Sequence, residues 1–142
     1  MEDKTRFVPF HTQKRMHKLA DMTPLDTPLF VVINLNTFCN FKCQYCIHGN
    51  SALYAKYKYR NSRMERPLLE KAIDDMRGFP RQVEHFGFIG AGEPLMHHEL
   101  PEFVRHVKDS GIAKYVSVTS NCSLLTAEKS RALLDAGLDE LR

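Results

Sequence analysis

The chain has 142 residues, with 43% hydrophobic and 26% charged residues and a formal net charge of +3. This size and composition fit one globular domain and exclude a disordered or low-complexity chain. The longest apolar run covers only residues 29–33, whereas a membrane-spanning helix needs about 20 apolar residues. Residues 1–28 form a charged N-terminal extension without the apolar stretch of a signal peptide, so we expect a cytoplasmic protein with no membrane association.

Strand-like and helix-like segments alternate over residues 29–142, which we take as one core domain. Residues 29–35 are apolar and rich in β-branched side chains, which predicts a first strand that is covered on both faces. Apolar periodicity and capping residues predict the elements that follow. They are a helix over 67–77, a strand over 83–89, a helix over 101–110, a strand over 115–119 and a helix over 126–137.

Three successive strand–helix units predict an α/β fold with a parallel sheet. Residues 138–142 follow the glycine that ends the third helix, where a fourth strand is due. We therefore expect the first three βα units of a longer βα-repeat fold, with the chain ending at the start of a fourth strand. A complete small three-layer α/β domain is the alternative.

Three of the four cysteines, Cys39, Cys43 and Cys46, lie in the loop after the first strand. The carboxyl end of a parallel strand is where α/β proteins bind ligands, and three thiols on a short loop favour ligation of one metal centre over disulfide bonds. An iron–sulfur cubane normally takes four cysteines, so three leave one iron open. A redox-active pair of Cys43 and Cys46, and a zinc site completed by His48, are the alternatives.

Two further motifs follow the second and third predicted strands. They are Gly90-Ala91-Gly92-Glu93-Pro94 and Thr119-Ser120-Asn121. Together with the loop sequence Cys-Asn-Phe-Lys-Cys-Gln-Tyr-Cys, they resemble in order and placement the motifs of the radical S-adenosylmethionine (SAM) superfamily. The resemblance covers about residues 29–142 and implies a partial barrel of βα units. The cysteine loop is most similar to the branch of molybdopterin-precursor cyclases, SPASM-type peptide maturases and SAM-dependent dehydrogenases.

The resemblance also implies two cofactors and the residues that bind them. The ligands of a [4Fe–4S] cluster would be Cys39, Cys43 and Cys46. The SAM contacts would be made by Tyr45, Gly90, Ala91, Gly92, Glu93, Ser120 and Asn121. In this set Tyr45 would pack beside the adenine, and the Glu93 carboxylate and neighbouring carbonyls would accept from the methionine ammonium. Ser120 and Asn121 are equally suited to capping the loop that follows them.

Glycine at positions 90 and 92 fits a backbone that approaches a ligand closely, with a plain tight turn ended by Pro94 as the other reading. The family often has glycine at the position of Ala91. It also often has glycine directly after Asn121, where this chain has Cys122. Cys122 is either a fourth cluster ligand or, as we expect, a passive small apolar residue.

The activity implied is reductive cleavage of SAM to methionine and a 5′-deoxyadenosyl radical, which abstracts hydrogen from an unknown small-molecule or peptide substrate. A reductant or electron-donor protein is implied as a partner. No acid–base residue is required, because the cofactors carry the chemistry. A non-catalytic zinc or iron–sulfur module is the alternative from another class.

Two other features have simpler interpretations. Residues 54–63 combine aromatic residues with four cations and no acid, and we expect a solvated loop there. Contact with an anionic substrate group is the next reading, and nucleic-acid binding is the least favoured. His97 and His98 are expected on a surface loop.

Overall fold

The computed structural model of the chain describes residues 19–58 and 60–142, so residues 1–18 of the expected extension, and Tyr59, lie outside the described residues. The helices are α1 (Ser51–Lys56), α2 (Arg66–Met76), α3 (Leu100–Ser110) and α4 (Ala127–Asp135). The strands are β1 (Phe30–Ile33), β2 (His85–Phe88), β3 (Val116–Val118) and β4 (Glu140–Leu141). Short 3₁₀ turns cover Leu19–Asp21, Ile47–Gly49 and Pro94–Met96.

In the described part of the chain, the strands form one parallel sheet in the order β1-β2-β3-β4. The predicted parallel α/β fold is confirmed, and β4 falls within the segment where a fourth strand was expected. Each strand lies beside its predecessor, as in the wall of a βα barrel, whereas a doubly wound sheet reverses its strand order. The carboxyl ends of these strands therefore meet at one edge of the sheet.

The core lies between one face of the sheet and the helices. Phe86 and Phe88 of β2 are fully buried there, and α3 packs against β3, α2 and α4. Helix α3 follows the predicted period, and its inward residues are Leu100, Phe103, Val104 and Val107. Gly111 then ends the helix with a left-handed φ of 67°, a conformation that glycine adopts without steric cost.

Strand β1 is covered on one face only by the described residues. Val31 and Ile33 pack against the core, whereas Phe30 and Val32 are 46% and 48% exposed. The prediction of a strand covered on both faces is therefore wrong. The physical reason is that the buried residues of α2, α3 and α4 all join the single core cluster on the other side of the sheet.

Helix α1 was not predicted, because its residues fall partly in the basic-aromatic stretch that we expected to be a loop. Its signal in the sequence is Asn50, whose side chain accepts a hydrogen bond from the Leu53 backbone N–H as an N-cap. The helix directly follows the cysteine loop and packs on the Ile47–Gly49 turn.

No helix among the described residues is long and apolar enough to cross a membrane.

His97 is buried, so its expected place on a surface loop is wrong, while His98 is exposed. The Nε2–H of His97 donates to the Met64 carbonyl at 2.9 Å, and its Nδ1 accepts from the Glu99 backbone N–H at 3.2 Å. Both ring nitrogens are thus satisfied in the neutral form. Burial lowers the pKa of His97, and the nearby Arg63 acts in the same direction.

We expect His97 to make folding stability pH-dependent. The unfolded chain binds a proton at this histidine below pH of about 6.5, whereas the folded chain resists protonation until the pH falls further. The free energy of unfolding should therefore fall as the pH drops from 7.5 to 5.5, as urea titrations would measure. His97→Gln should weaken this dependence and the exposed control His98→Gln should keep it, so an unchanged dependence in His97→Gln would contradict the assignment.

Candidate active site

The carboxyl edge of the sheet is organised around the buried carboxylate of Glu93, which is 2% exposed. Its Oε1 accepts from the Leu95 backbone N–H at 2.9 Å and from the Ser120 hydroxyl at 2.6 Å. Its Oε2 accepts from the Asn121 backbone N–H at 2.9 Å. Because charge-assisted hydrogen bonds are stronger than neutral ones, Glu93 fixes the loop after β3 against the turn after β2.

Asn36 ties the cysteine loop to the same turn. Its side chain is buried, and its Nδ2 donates to the carbonyls of Phe38 and Glu93, both at 3.1 Å. The Glu93 backbone N–H donates a hydrogen bond to the Phe38 carbonyl at 3.0 Å. The Asn36 Oδ1 has no hydrogen-bond partner among the described residues. Sequence reasoning missed this residue, although a polar side chain at the end of an apolar strand was the available signal.

Gly90 and Gly92 pack directly against the segment that follows β1. A Cβ at Gly92 would collide with the carbonyls of Asn36 and Phe38, and one at Gly90 would collide with the Asn34 side chain. These glycines are therefore required where two loops of the protein meet. We predicted close approach to a ligand, and the contacts among the described residues give a different reason for glycine.

The three loop cysteines are free thiols that are partly buried. The Cys46 backbone N–H donates to the Cys43 carbonyl at 2.9 Å, which makes the turn between them. The backbone carbonyl of Cys43 also lies where a Cβ on Gly49 would be, so the loop closes tightly on itself. Over residues 19–58 and 60–142, no three His, Cys, Asp or Glu side chains are gathered closely enough to form a metal site. The fold places the thiols on one loop without assembling their sulfur atoms.

His48 makes a contact that differs from the zinc-ligand role considered for it. Its Nε2 is 2.6 Å from the Ala91 carbonyl, which joins the end of the cysteine loop to the turn after β2. A ring held in this way is poorly placed to complete a zinc site with Cys39, Cys43 and Cys46. His48 is thus a second link between the two loops that the sequence did not reveal.

Tyr45 is 95% exposed, so its ring is available to a ligand. A cleft of about 400 Å³ opens beside the same loop. Its lining residues are Phe38, Cys39, Phe41, Lys42, His48, Ser51, Tyr54, Ala55 and Asn61. Another cleft, of about 430 Å³, lies between the Pro94–Met96 turn and α4, and it includes no cysteine.

The basic-aromatic stretch is not a free loop throughout. The Arg63 guanidinium stacks 5.2 Å from the centre of the Phe38 ring, beside the cysteine loop, and its Nη2 is 3.5 Å from the Met96 carbonyl. Lys58 and Arg60 are exposed. Arg63 therefore supports the cysteine loop, and the exposed cations on residues 56–60 form the solvated part of the stretch.

Cys122 is exposed and has a left-handed φ of 58°, so the expectation of a passive apolar residue fits neither its exposure nor its backbone. Its backbone N–H donates to the Ser120 hydroxyl at 2.9 Å. Left-handed backbone is costly for a residue with a Cβ and free for glycine. The frequent glycine of the family pattern thus has a conformational reason at this position.

We expect Cys122→Gly to raise the free energy of unfolding by about 0.5–1 kcal/mol, because the strain at φ 58° is relieved. Chemical denaturation under reducing conditions would measure the change. Lys58→Gly is the matched variant, because Lys58 has a φ of 47° and should respond in the same direction. Destabilisation by both substitutions would contradict this explanation.

Comparison with known proteins identifies the family. The family model described as the radical SAM superfamily matches residues 33–142. The chain belongs to the radical SAM superfamily. Proteins of the radical SAM superfamily use a [4Fe–4S] cluster and SAM, so the predicted family and cofactors are confirmed at this level.

Several curated proteins are similar over most of this chain. The tungsten-containing aldehyde ferredoxin oxidoreductase cofactor-modifying protein of Pyrococcus furiosus is 28% identical, over 78% of this chain and 28% of its own length. The GTP 3',8-cyclase of Microcystis aeruginosa is 33% identical, over 77% and 32% of the two chains. The PqqA peptide cyclase of Rhodopseudomonas palustris is 28% identical, over 78% and 27%. The chain thus spans about a third or less of the length of these relatives.

Solved structures support the fold. The crystal structure of BtrN in complex with AdoMet and 2-DOIA has a TM-score of 0.69 and 20% sequence identity to this radical SAM chain. The match covers 80% of this chain and 44% of the BtrN chain. An open form of BtrN has a TM-score of 0.66. The α/β architecture of the radical SAM type is therefore confirmed.

The residues present fit an iron–sulfur cluster. Three free thiols share one loop, and soft thiolate ligands select iron–sulfur clusters or zinc. The histidine that would have completed a zinc site is bonded to the Ala91 carbonyl instead. This radical SAM chain therefore offers three thiols on one loop as a donor set, although their sulfur atoms are not drawn together into a formed metal site in the described residues.

Proposed function

We propose that this chain is the cofactor-binding part of a radical SAM enzyme, in which Cys39, Cys43 and Cys46 bind three irons of a [4Fe–4S] cluster. The reduced cluster, when bound, supplies the electron that cleaves SAM to methionine and a 5′-deoxyadenosyl radical. The observation that carries the proposal is the convergence of the three strand-end motifs at Glu93 and Asn36. These loops form a rim along the carboxyl edge of the sheet. Such a rim holds a cofactor between loops that are already fixed to one another.

The turn after β2 is the proposed receptor for the methionine ammonium. The Ala91 carbonyl is in contact with His48, and the Glu93 carbonyl accepts from Asn36. The carbonyls of Gly90 and Gly92 accept no hydrogen bond from the described residues, so they are the acceptors that remain. The Glu93 Oε2 accepts one bond from these residues and has capacity for another.

The other expected SAM residues divide into two roles. Tyr45, almost fully exposed, is the proposed partner of the adenine. Ser120 donates to Glu93 and accepts from the Cys122 backbone N–H, so we assign it to holding the loop. Asn121 is likewise anchored through its backbone to Glu93. These two residues act on SAM through the position of the rim.

The reaction proposed for the whole protein is hydrogen abstraction from a small-molecule or peptide substrate, with the cluster reduced by an electron-donor protein. The similar proteins span both substrate classes by name, since one is a GTP cyclase and another is a peptide cyclase. The edge of the sheet supplies positioning and exclusion of water, and it needs no general base, because the cofactors carry the chemistry.

Anaerobic reconstitution of the chain with iron and sulfide tests the proposal. We expect about four irons per chain, a visible iron–sulfur spectrum, and 5′-deoxyadenosine formed from SAM when dithionite is added. The same sample without dithionite is the control and should form none. A cluster without cleavage would favour the non-catalytic iron–sulfur module, and a colourless chain that binds one zinc would overturn the radical SAM activity.

A further inference from the structure

The three loop cysteines differ in the surroundings of their sulfur atoms. The Cys39 Sγ accepts from the Phe41 backbone N–H at 3.4 Å and from the side-chain Nδ2 of Asn121 at 3.8 Å. Among the described residues, the sulfur atoms of Cys43 and Cys46 accept no hydrogen bond within the same limits. One thiol of the set is therefore supplied with N–H donors from two loops.

The orientation of the Asn121 amide is fixed by its other contacts. Its Oδ1 accepts from the Ser123 backbone N–H at 3.0 Å and from the Ser123 hydroxyl at 2.7 Å. The NH₂ group therefore faces the cysteine loop. One of its hydrogens goes to the Asn40 Oδ1 at 3.0 Å and the other points to the Cys39 sulfur. An amide O/N flip would place two acceptor oxygens together at Asn40, so this orientation is the one that the network allows.

Asn40 closes the network. Its Nδ2 donates to the Ser123 hydroxyl at 2.7 Å, and its Oδ1 lies 3.9 Å from the Cys39 sulfur. Ligation of iron removes the thiol proton of Cys39, so the sulfur becomes an acceptor only. The bond from Asn121 then has an anionic partner, and N–H donors near such a sulfur become more favourable.

We infer that Asn121 tunes the reduction potential of the cluster by donating its amide N–H to the Cys39 thiolate; this rests on the proposed function, in which Cys39 is a cluster ligand. Hydrogen bonds to cluster sulfur atoms are among the levers that set the potential. The donor stabilises the reduced cluster, which carries one more negative charge, more than the oxidised cluster. It therefore raises the potential and eases one-electron reduction.

This role differs from the SAM contact expected for Asn121. Both amide hydrogens and the amide oxygen are already in use within the protein. A side chain without free donors has little to offer the carboxylate of a bound ligand. Asn121 is thus a positioning and tuning residue, which acts on the reaction through the electron that the cluster accepts.

The test is a dye-mediated redox titration of the reconstituted chain, with dithionite as reductant, followed by electron paramagnetic resonance. Asn121→Leu removes the donors at similar volume, and Asn121→Asp places an anionic oxygen beside the sulfur. We expect full iron content in both variants, with a midpoint potential lowered in Asn121→Leu and lowered further in Asn121→Asp. Cys122→Ala, at the adjacent exposed position, is the control and should keep the wild-type potential.

A measurement on the wild-type chain covers the case in which the variants do not fold. Side-chain ¹⁵N-labelled asparagine should give a hyperfine coupling to the reduced cluster in pulsed electron paramagnetic resonance. Absence of this coupling, or a wild-type potential in Asn121→Leu with full iron content, would overturn the tuning role while leaving the proposed function intact. A wild-type chain that binds no iron would overturn both.

Discussion

Replacement of Cys43 by alanine is expected to abolish iron binding by the reconstituted chain. A cluster held by three thiolates cannot be retained by two, because the loop offers no replacement side chain of comparable affinity. The histidine closest in sequence, His48, already contacts the Ala91 carbonyl. Iron per chain should fall from about four to near zero, and the visible spectrum and 5′-deoxyadenosine formation should disappear with it.

Cys122→Ala is the matched control for this prediction. It also removes a free thiol at the same edge, but from an exposed position outside the cysteine loop. Iron content and SAM cleavage should remain at the wild-type level. Loss of iron in Cys122→Ala would identify Cys122 as a fourth ligand, and full iron in Cys43→Ala would exclude the three-cysteine site.

Replacement of Glu93 by alanine is expected to lower the free energy of unfolding by about 2–4 kcal/mol, because one buried donor and two partly buried donors lose their acceptor. These donors are the Leu95 and Asn121 backbone N–H groups and the Ser120 hydroxyl. Glu93→Gln should cost less, about 1–2 kcal/mol, because the amide oxygen can replace Oε1 and keep two of the three bonds. Its NH₂ group then faces the Asn121 N–H, where two donors oppose each other.

Urea denaturation of the two variants in the metal-free state would measure this order of stability. Glu102→Gln, an exposed carboxylate in the first turn of α3, is the matched control and should change the stability little. Equal stability of Glu93→Ala and wild type would show that the carboxylate does not hold the loops. A loss of iron that accompanies Glu93→Ala would follow from displacement of the cysteine loop through Asn36.

The elements were largely predictable because their signals are local. Helix α3 has an apolar period and a glycine stop, and the side chain of Thr126 caps α4 at the start of the predicted helix over 126–137. Strand ends were predicted too long, since propensity extends over residues that leave the sheet. Helix α1 was not predicted, because its N-cap, Asn50, lies outside the basic-aromatic stretch over residues 54–63.

The site was predictable at the level of motifs and not at the level of contacts. Spacing placed the cysteines and the Gly90 turn at one edge, because parallel strands share a direction. It could not show that Glu93 is buried, that His48 contacts the turn, or that Asn36 links two loops. These depend on packing between segments that are distant in the chain.

The strand order β1-β2-β3-β4 also bears on how the chain folds. Each strand pairs with the one synthesised next to it, so the sheet can grow one βα unit at a time during translation. The bonds of the rim join residues 57 positions apart at Asn36 and Glu93, and 82 positions apart at Cys39 and Asn121. Such long loops close late. The cysteine loop is therefore fixed to the other strand-end loops only after β3 and the loop that follows it have been synthesised and have docked.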